Sequence, residues 1–320
     1  MKPTKALFIT FDLSGYYNCI FEELKSHYDV VDYYNLADYK NRPYKNIGQR
    51  ISSFYLKKTK NLKLKNYYKY NPVIEDIKDK SYDFTLIIRP DLFFDKQLKI
   101  LRKNSKKLIA YYHDSINNIP RKKDVIHFFD EVYSYEKRDV KDFNLKFIPN
   151  FIYLNNYKVN DATKTQVFTV ISKDYRFKSL IKLATFLKHN KFEYKFLVHS
   201  DKEQPKSDLI QFITERKTNS EVLKEINQAS IIADIHKYGI QDGLTFRVFE
   251  SLYFKRKLIT SNTDIKNYEF YNPNNIHVIE NFDNINIPRN FFLEPYQDIP
   301  EEIYKKYLYT TWVKTILGRA

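Results

Sequence analysis

The stretch Gln241-Asp242-Gly243-Leu244-Thr245-Phe246-Arg247-Val248-Phe249-Glu250-Ser251-Leu252, followed by Lys257-Leu258-Ile259-Thr260-Ser261-Asn262, decides the fold. It reads as a polar loop, a helix over 244–254 and a short buried strand over 257–260. Leu244, Val248 and Leu252 are spaced as one helix face. The helix is apolar around most of its circumference, which sets Glu250 among apolar neighbours. A carboxylate there is costly to bury unless it accepts hydrogen bonds. Asp242 stands at the helix start, eight residues ahead of Glu250, and Gly243 lets backbone N–H groups approach a ligand closely. The plainer reading is that Arg247 and Glu250, three apart, simply pair on the surface.

Working outward, short apolar strands alternate with helical stretches. Strands are expected at 6–11, 28–34, 84–89, 107–113, 131–135 and 146–150, with helices at 16–27, 72–80, 95–103, 121–128 and 136–143. The polar, Asn-rich run 151–164 breaks the pattern and reads as a linker. The alternation restarts with strands at 166–171, 194–199, 231–235, 257–260 and 275–280, and helices at 177–190, 207–216, 219–229 and 244–254. A last helix is expected from Pro300 to about Leu317. Strands separated by helices mean βαβ units and parallel, doubly wound sheets. The expected organisation is α/β: a domain over 1–152, a second over 165–299, and a C-terminal helix over 300–320 packing back toward the first domain. Ligands of open α/β sheets bind at the carboxyl ends of strands.

Composition narrows the classes. The chain has 320 residues, 43% of them apolar, with 28 Tyr and 25 Phe, which excludes a disordered chain. Five glycines, no GxxxxGK[ST] and no GxGxxG argue against a glycine-loop NTPase. The one cysteine, Cys19, excludes a disulfide framework and cysteine-based zinc sites, and fits a reducing cytoplasm. The run 6–11 is too short for a signal-peptide core, and no apolar run approaches ~18 residues. A soluble cytoplasmic protein, or one peripheral at the inner membrane face, is expected. No DxD and no HExxH occurs, so no metal is expected. The net charge is +15, and between Lys40 and Lys69 there are ten Lys or Arg with no acid. Tyr44, Phe54, Tyr55, Tyr67, Tyr68 and Tyr70 are interleaved. This segment suits an anionic membrane surface or an anionic glycan, less so a nucleic acid, or it is an ordinary solvated loop.

Residues 241–262, with the 264–271 stretch after them, resemble the nucleotide-sugar site of GT-B glycosyltransferases, above all the acid-x7-acid motif of their retaining group-1 families. Asp242 stands where those families usually carry Glu. The resemblance implies two facing Rossmann-like domains with the ligand in a cleft. It also implies a nucleotide-sugar donor as substrate, no separate cofactor, and a glycan or lipid-linked acceptor of bacterial surface-polysaccharide assembly (capsule or lipopolysaccharide). Glu250 would bind the ribose hydroxyls, Asp242 would face the donor sugar, Arg247 would lie near the diphosphate, and Gly243, Leu244 and Thr245 would line the donor.

Three further motifs follow strands. Tyr111-Tyr112-His113-Asp114-Ser115 places a His-acid pair at a strand end, where such families carry one near the donor sugar; imidazole donates to a hydroxyl or exchanges protons near pH 7. Its plain reading is a loop His with Asp114 as a helix cap. Ser172-Lys173-Asp174-Tyr175-Arg176-Phe177-Lys178-Ser179 sets Arg176 and Lys178 at a helix start, similar to the pyrophosphate-binding Arg/Lys pair but without the family's glycines. Asp12-Leu13-Ser14-Gly15-Tyr16 and Arg89-Pro90-Asp91 make Gly15, Arg89 and Asp91 acceptor-side candidates. A glycosyltransferase is the expected activity, with retention favoured by the spacing alone. A nucleotide-sugar epimerase of the same fold and a non-catalytic basic membrane- or RNA-binding protein are the rivals.

Overall fold

The computed structural model describes residues 3–40, 43–160 and 166–319. The end of the expected linker (161–164), Thr165, and Arg42 of the basic segment lie outside the described residues. The chain forms two compact units: 1–149 together with 312–320, and 150–311.

The first unit is built on β1 (Lys5–Thr10), β2 (Val30–Asn35), β3 (Tyr82–Ile88), β4 (Ser105–Tyr112), β5 (Glu131–Ser134) and β6 (Lys146–Phe147). Its helices are α1 (Asn18–Lys25), α2 (Ile47–Lys60), α3 (Leu64–Ile77), α4 (Asp95–Lys103), α5 (Arg121–Val125) and α6 (Lys137–Phe143). All strands run parallel in the order β2-β1-β3-β4-β5-β6. The chain builds outward from β1 to β2, then resumes on the other side of β1 with β3. Such a reversal leaves a crevice at the carboxyl ends of β1 and β3, the favoured ligand position of an open sheet.

The second unit contains β7 (Gln166–Ser172), α7 (Phe177–His189), β8 (Glu193–His199), β9 (Gln211–Ile213), α8 (Asn219–Gln228), β10 (Ile231–Asp234), α9 (Phe246–Phe254), β11 (Lys257–Thr260), β12 (Ile276–Val278), α10 (Arg289–Leu293) and α11 (Glu301–Lys306). The order β12-β11-β10-β7-β8-β9, again all parallel, is the dinucleotide-fold order 3-2-1-4-5-6 read from β9. Its reversal lies between β7 and β10. Alternate strand residues feed two cores. Phe168, Leu197, Ile232 and Leu258 pack in one; Val167, Phe196, Val198, Ile231 and Ile259 pack in the other. That period of two, with both faces covered, is what makes the strands read as continuous apolar runs.

The last helix, α12 (Tyr309–Leu317), ends on the first unit, where Trp312 meets Tyr111 edge-on with ring centres 5.0 Å apart.

Several elements differ from the sequence expectation: α2 and α10 form where no helix was expected, and three others depart as follows. The helix expected from Pro72 begins at Leu64 and runs through that proline, because Tyr70, Val73, Ile74 and Ile77 supply one buried stripe across it. The helix expected over 207–216 is instead β9, which pairs with the edge of β8; tertiary pairing overrides local preference there. The helix expected from Pro300 to Leu317 is broken. Ile152 donates its N–H to Tyr307 O at 2.7 Å and accepts from Tyr309 N at 3.1 Å, so the backbone between α11 and α12 is drawn into a bridge. Among the described residues no helix is long and apolar enough to cross a membrane.

Candidate functional site

In the second unit the reversal between β7 and β10 gathers a continuous polar chain. The 241–245 loop leads into α9, which starts at Phe246, so Asp242 lies in the loop rather than at the helix start. Thr245 is the N-cap: its Oγ1 accepts from the Arg247 N–H at 3.2 Å and donates to Asp234 Oδ1 at 3.1 Å. Three side chains hold the loop's carbonyls. His236 Nε2 lies 2.6 Å from Gln241 O, Asn262 Nδ2 donates to Asp242 O (3.1 Å) and Gly243 O (3.3 Å), and Asn150 Nδ2 donates to Leu244 O (2.8 Å). The Leu244 side chain itself is in the core, so only its backbone belongs to the loop surface.

Glu250 is fully buried. One carboxylate oxygen accepts from Tyr153 Oη at 2.7 Å and the other pairs with Arg247. The i, i+3 pair anticipated for the surface therefore exists, but its acid is inside. Arg176 forks onto Asp174, with Nε–Oδ1 at 2.9 Å and Nη2–Oδ2 at 2.7 Å, and donates Nη1 to Ile235 O at 3.2 Å. Lys178 is exposed on the first turn of α7, a turn with no acidic residue. Asp234 closes β10. Burial raises its carboxyl above the usual range, while His236, Thr245, Arg176 and Arg247 pull the other way. Asp234 Oδ2 and His236 Nδ1 are buried and have no hydrogen-bond partner among the described residues. Buried polar atoms of this kind are few in native proteins and mark positions where a ligand or water completes the pairing.

The first unit gathers a second cluster at its own reversal. Asp12 Oδ1 accepts from the N–H groups of Ser14 (2.9 Å) and Gly15 (2.8 Å), and Oδ2 from that of Tyr17 (2.8 Å). The loop thus curls around its own carboxylate. Gly15, at φ +77°, takes the left-handed turn this requires. Arg89, also left-handed at φ 70°, forks onto Asp91 with both contacts at 2.9 Å and lies over the Phe11 ring. A non-glycine residue held there is strained, a feature that clusters at functional sites. Beside them, at the end of β4, His113 Nδ1 is 2.5 Å from the Tyr17 hydroxyl. Burial pushes Tyr17's ionisation well up, so the phenol keeps its proton. The contact ties the imidazole to the phenol through Nδ1 and fixes the plane of the ring. Burial also holds His113 below the usual imidazole range, with Asp114 opposing and Lys122 and Arg89 reinforcing. The neutral ring is a donor near pH 7.

Lys122 is fully buried. Its Nζ donates to Asp114 O and sits 4.8 Å from the Tyr112 ring centre, while Tyr112 Oη donates to Lys122 O at 2.7 Å. Burial draws its ammonium down from 10.5 to about 8, against Asp91 and Asp114. Between those values the unfolded chain holds a proton that the folded chain has lost, so stability rises with pH across that window. Lys122→Met removes this titration. From pH 7.5 to 10.5, wild type should gain about 3 kcal/mol on the variant, read by urea unfolding. An unchanged difference would show that no such amine titrates.

The sequence reading named Arg176, Thr245, Arg247 and Glu250, and the structure strings them along one set of strand and helix ends. It missed Asp234, His236, Tyr153, Tyr17 and Lys122. Asp234-Ile235-His236 carried the signal that singled out His113-Asp114, polar residues closing an apolar strand. Among the described residues no group of three or more His, Cys, Asp or Glu is placed to hold a metal ion.

No family model matches this sequence, and no curated protein matches it. Solved structures do. The apo structure of OtsA aligns over 98% of this chain and 98% of its own, with TM-score 0.56 and 10% identity. The N-terminal domain of Candida albicans trehalose-6-phosphate phosphatase covers 98% and 96%, at TM-score 0.55 and 10% identity. An alpha-glucosyltransferase (AGT) in complex with UDP covers 85% and 84%, at TM-score 0.52 and 11% identity. The fold is GT-B. At such identities the likeness is one of architecture. Within this GT-B chain, both polar clusters stand where each sheet reverses direction.

Proposed function

We propose that this chain is a glycosyltransferase that binds a nucleoside-diphosphate sugar through its second unit and passes the sugar to a hydroxyl of a glycan. One observation carries the reading. The polar chain from Asp174 and Arg176 through Asp234, Thr245 and Arg247 to Glu250 lies at the reversal of a 3-2-1-4-5-6 sheet, beside the N-terminus of α9. A pyrophosphate is favoured at such a helix end. The AGT neighbour binds UDP, which fits a uridine or related nucleotide here.

The roles follow from the chemistry. Arg176, Lys178 and Arg247, with the α9 dipole, offset charge growing on the leaving diphosphate as the anomeric C–O bond breaks. Glu250 accepts from the ribose hydroxyls when Arg247 yields to the ligand. Asp234 Oδ2 accepts a hydroxyl of the bound donor. Asp242 faces the sugar, and the backbone of Gly243 and Leu244 lines it. In the first unit His113, with Asp114, donates to the reacting sugar, and Gly15, Arg89 and Asp91 form the acceptor side. We further propose that transfer needs no metal, retains anomeric configuration, and serves a growing surface polysaccharide or lipid-linked glycan. Mass spectrometry of the protein incubated with a panel of nucleotide sugars tests the reaction class. The expected outcome is slow release of nucleoside diphosphate. Epimerisation of the sugar with the nucleotide intact would identify the rival reaction, and consumption of none would leave the fold without this activity.

A further inference from the structure

The helix α2 turns its apolar side outward. Ile47, Ile51, Phe54 and Tyr55 are 73%, 65%, 70% and 67% exposed. At 3.6 residues per turn they form one stripe along the helix. The opposite side, which packs on the unit, carries half-buried Gln49 and Leu56 and buried Ser53. Ser53 is buried there, its hydroxyl 2.6 Å from Tyr44 Oη and accepting the Leu64 N–H at 3.2 Å. A helix whose only neighbour is its own protein buries its apolar stripe; this one packs by Ser53, Gln49 and Leu56 and leaves four of its five large apolar side chains outside. Four large apolar side chains on two turns exceed the scattered singles of an ordinary surface. Exposed Arg50 and Lys57 border the stripe, and Lys58 continues it.

The occupant is fixed by the combination. A nucleic acid would be met by the cations, but Ile47, Ile51 and Phe54 offer it nothing. An anionic lipid leaflet takes both halves: apolar side chains at the boundary between headgroup and acyl chain, cations among the headgroups. No acidic residue stands between Lys40 and Lys69 to oppose this. We propose that α2 is an interfacial membrane anchor, seating Ile47, Ile51, Phe54 and Tyr55 in an anionic leaflet with Arg50, Lys57 and Lys58 at the phosphates. The sequence exposed the charge; the outward apolar stripe is what makes it an insertion surface. The inference is independent of the donor chemistry, since binding is read without substrate.

Vesicle co-sedimentation tests it. Wild type should bind phosphatidylcholine vesicles doped with phosphatidylglycerol roughly tenfold or more tightly than phosphatidylcholine alone, and less at high salt. Ile51→Ser with Phe54→Ser keeps every charge and should weaken binding by roughly tenfold or more. Both side chains are exposed, so thermal melting should match wild type. A Phe54→Cys variant carrying an environment-sensitive dye should shift blue on the anionic vesicles; Cys19 is buried and takes no label. Three outcomes overturn the proposal. Wild type stays in the supernatant at low salt; the double serine variant binds as wild type, leaving charge alone; or wild type self-associates in sedimentation velocity while the variant does not, giving the stripe to a second copy.

Discussion

His113→Ala is expected to lower the rate of sugar transfer by about 10²–10⁴-fold, the range of a positioned proton-transfer or hydrogen-bonding group. The geometry explains why the effect falls on turnover. The Tyr17 hydroxyl, 2.5 Å from Nδ1, orients the ring, and burial keeps it neutral. A ring so held stabilises charge that appears on the sugar or its leaving oxygen as the bond breaks. Affinity for the nucleoside diphosphate should stay within a few fold, as should that of Asp242→Ala, which should likewise lose mainly kcat. Steady-state kinetics beside calorimetric titration separates the two quantities. Equal losses in both would make His113 a structural or nucleotide-binding residue.

The second large effect is on stability. Glu250→Ala removes the ion-pair partner of Arg247 and one acceptor of the Tyr153 hydroxyl, which also accepts from Asn219 Nδ2. Losing hydrogen bonds to a buried charge costs about 1.5–3 kcal/mol each, and Arg247, its side chain 22% exposed, regains part of its share from water. For a unit of this size that lowers Tm by roughly 10 °C. Glu250→Gln keeps an acceptor for Tyr153 and should fall between. Differential scanning calorimetry decides. If Glu250→Ala melts within about a degree of wild type, the carboxylate is not buried as described.

Local pattern carried the architecture. Alternating apolar strands and helices revealed two parallel sheets, because parallel strands are buried on both faces and stand out as apolar runs. The acid-x7-acid spacing and the strand-end His113-Asp114 were visible for the same reason, since each lies within one βα unit. What stayed hidden depends on distant partners. Tyr153 reaches Glu250 across 97 residues, and Tyr17 reaches His113 across 96. No periodicity encodes either contact. The strand β9 was read as a helix because only the edge of β8 makes it a strand. Pro72 was read as a helix start because a proline usually is one, yet the buried stripe on both sides of it carries α3 through. The basic run 40–69 was legible as charge, but the direction in which α2 faces is a property of packing.

The strand ends around β7 and β10 are expected to bind a nucleoside diphosphate. Calorimetric titration of the protein with UDP, GDP, ADP and dTDP tests it most directly, with Arg176→Ala as the comparison. Arg176 is set at the start of α7, tied to Asp174 and the Ile235 carbonyl, and aimed by them. Wild type should bind at least one of these nucleotides, and Arg176→Ala should weaken it by about 10–100-fold, the loss of a charge-assisted hydrogen bond or two. Binding of none, or equal binding by the variant, would contradict that expectation.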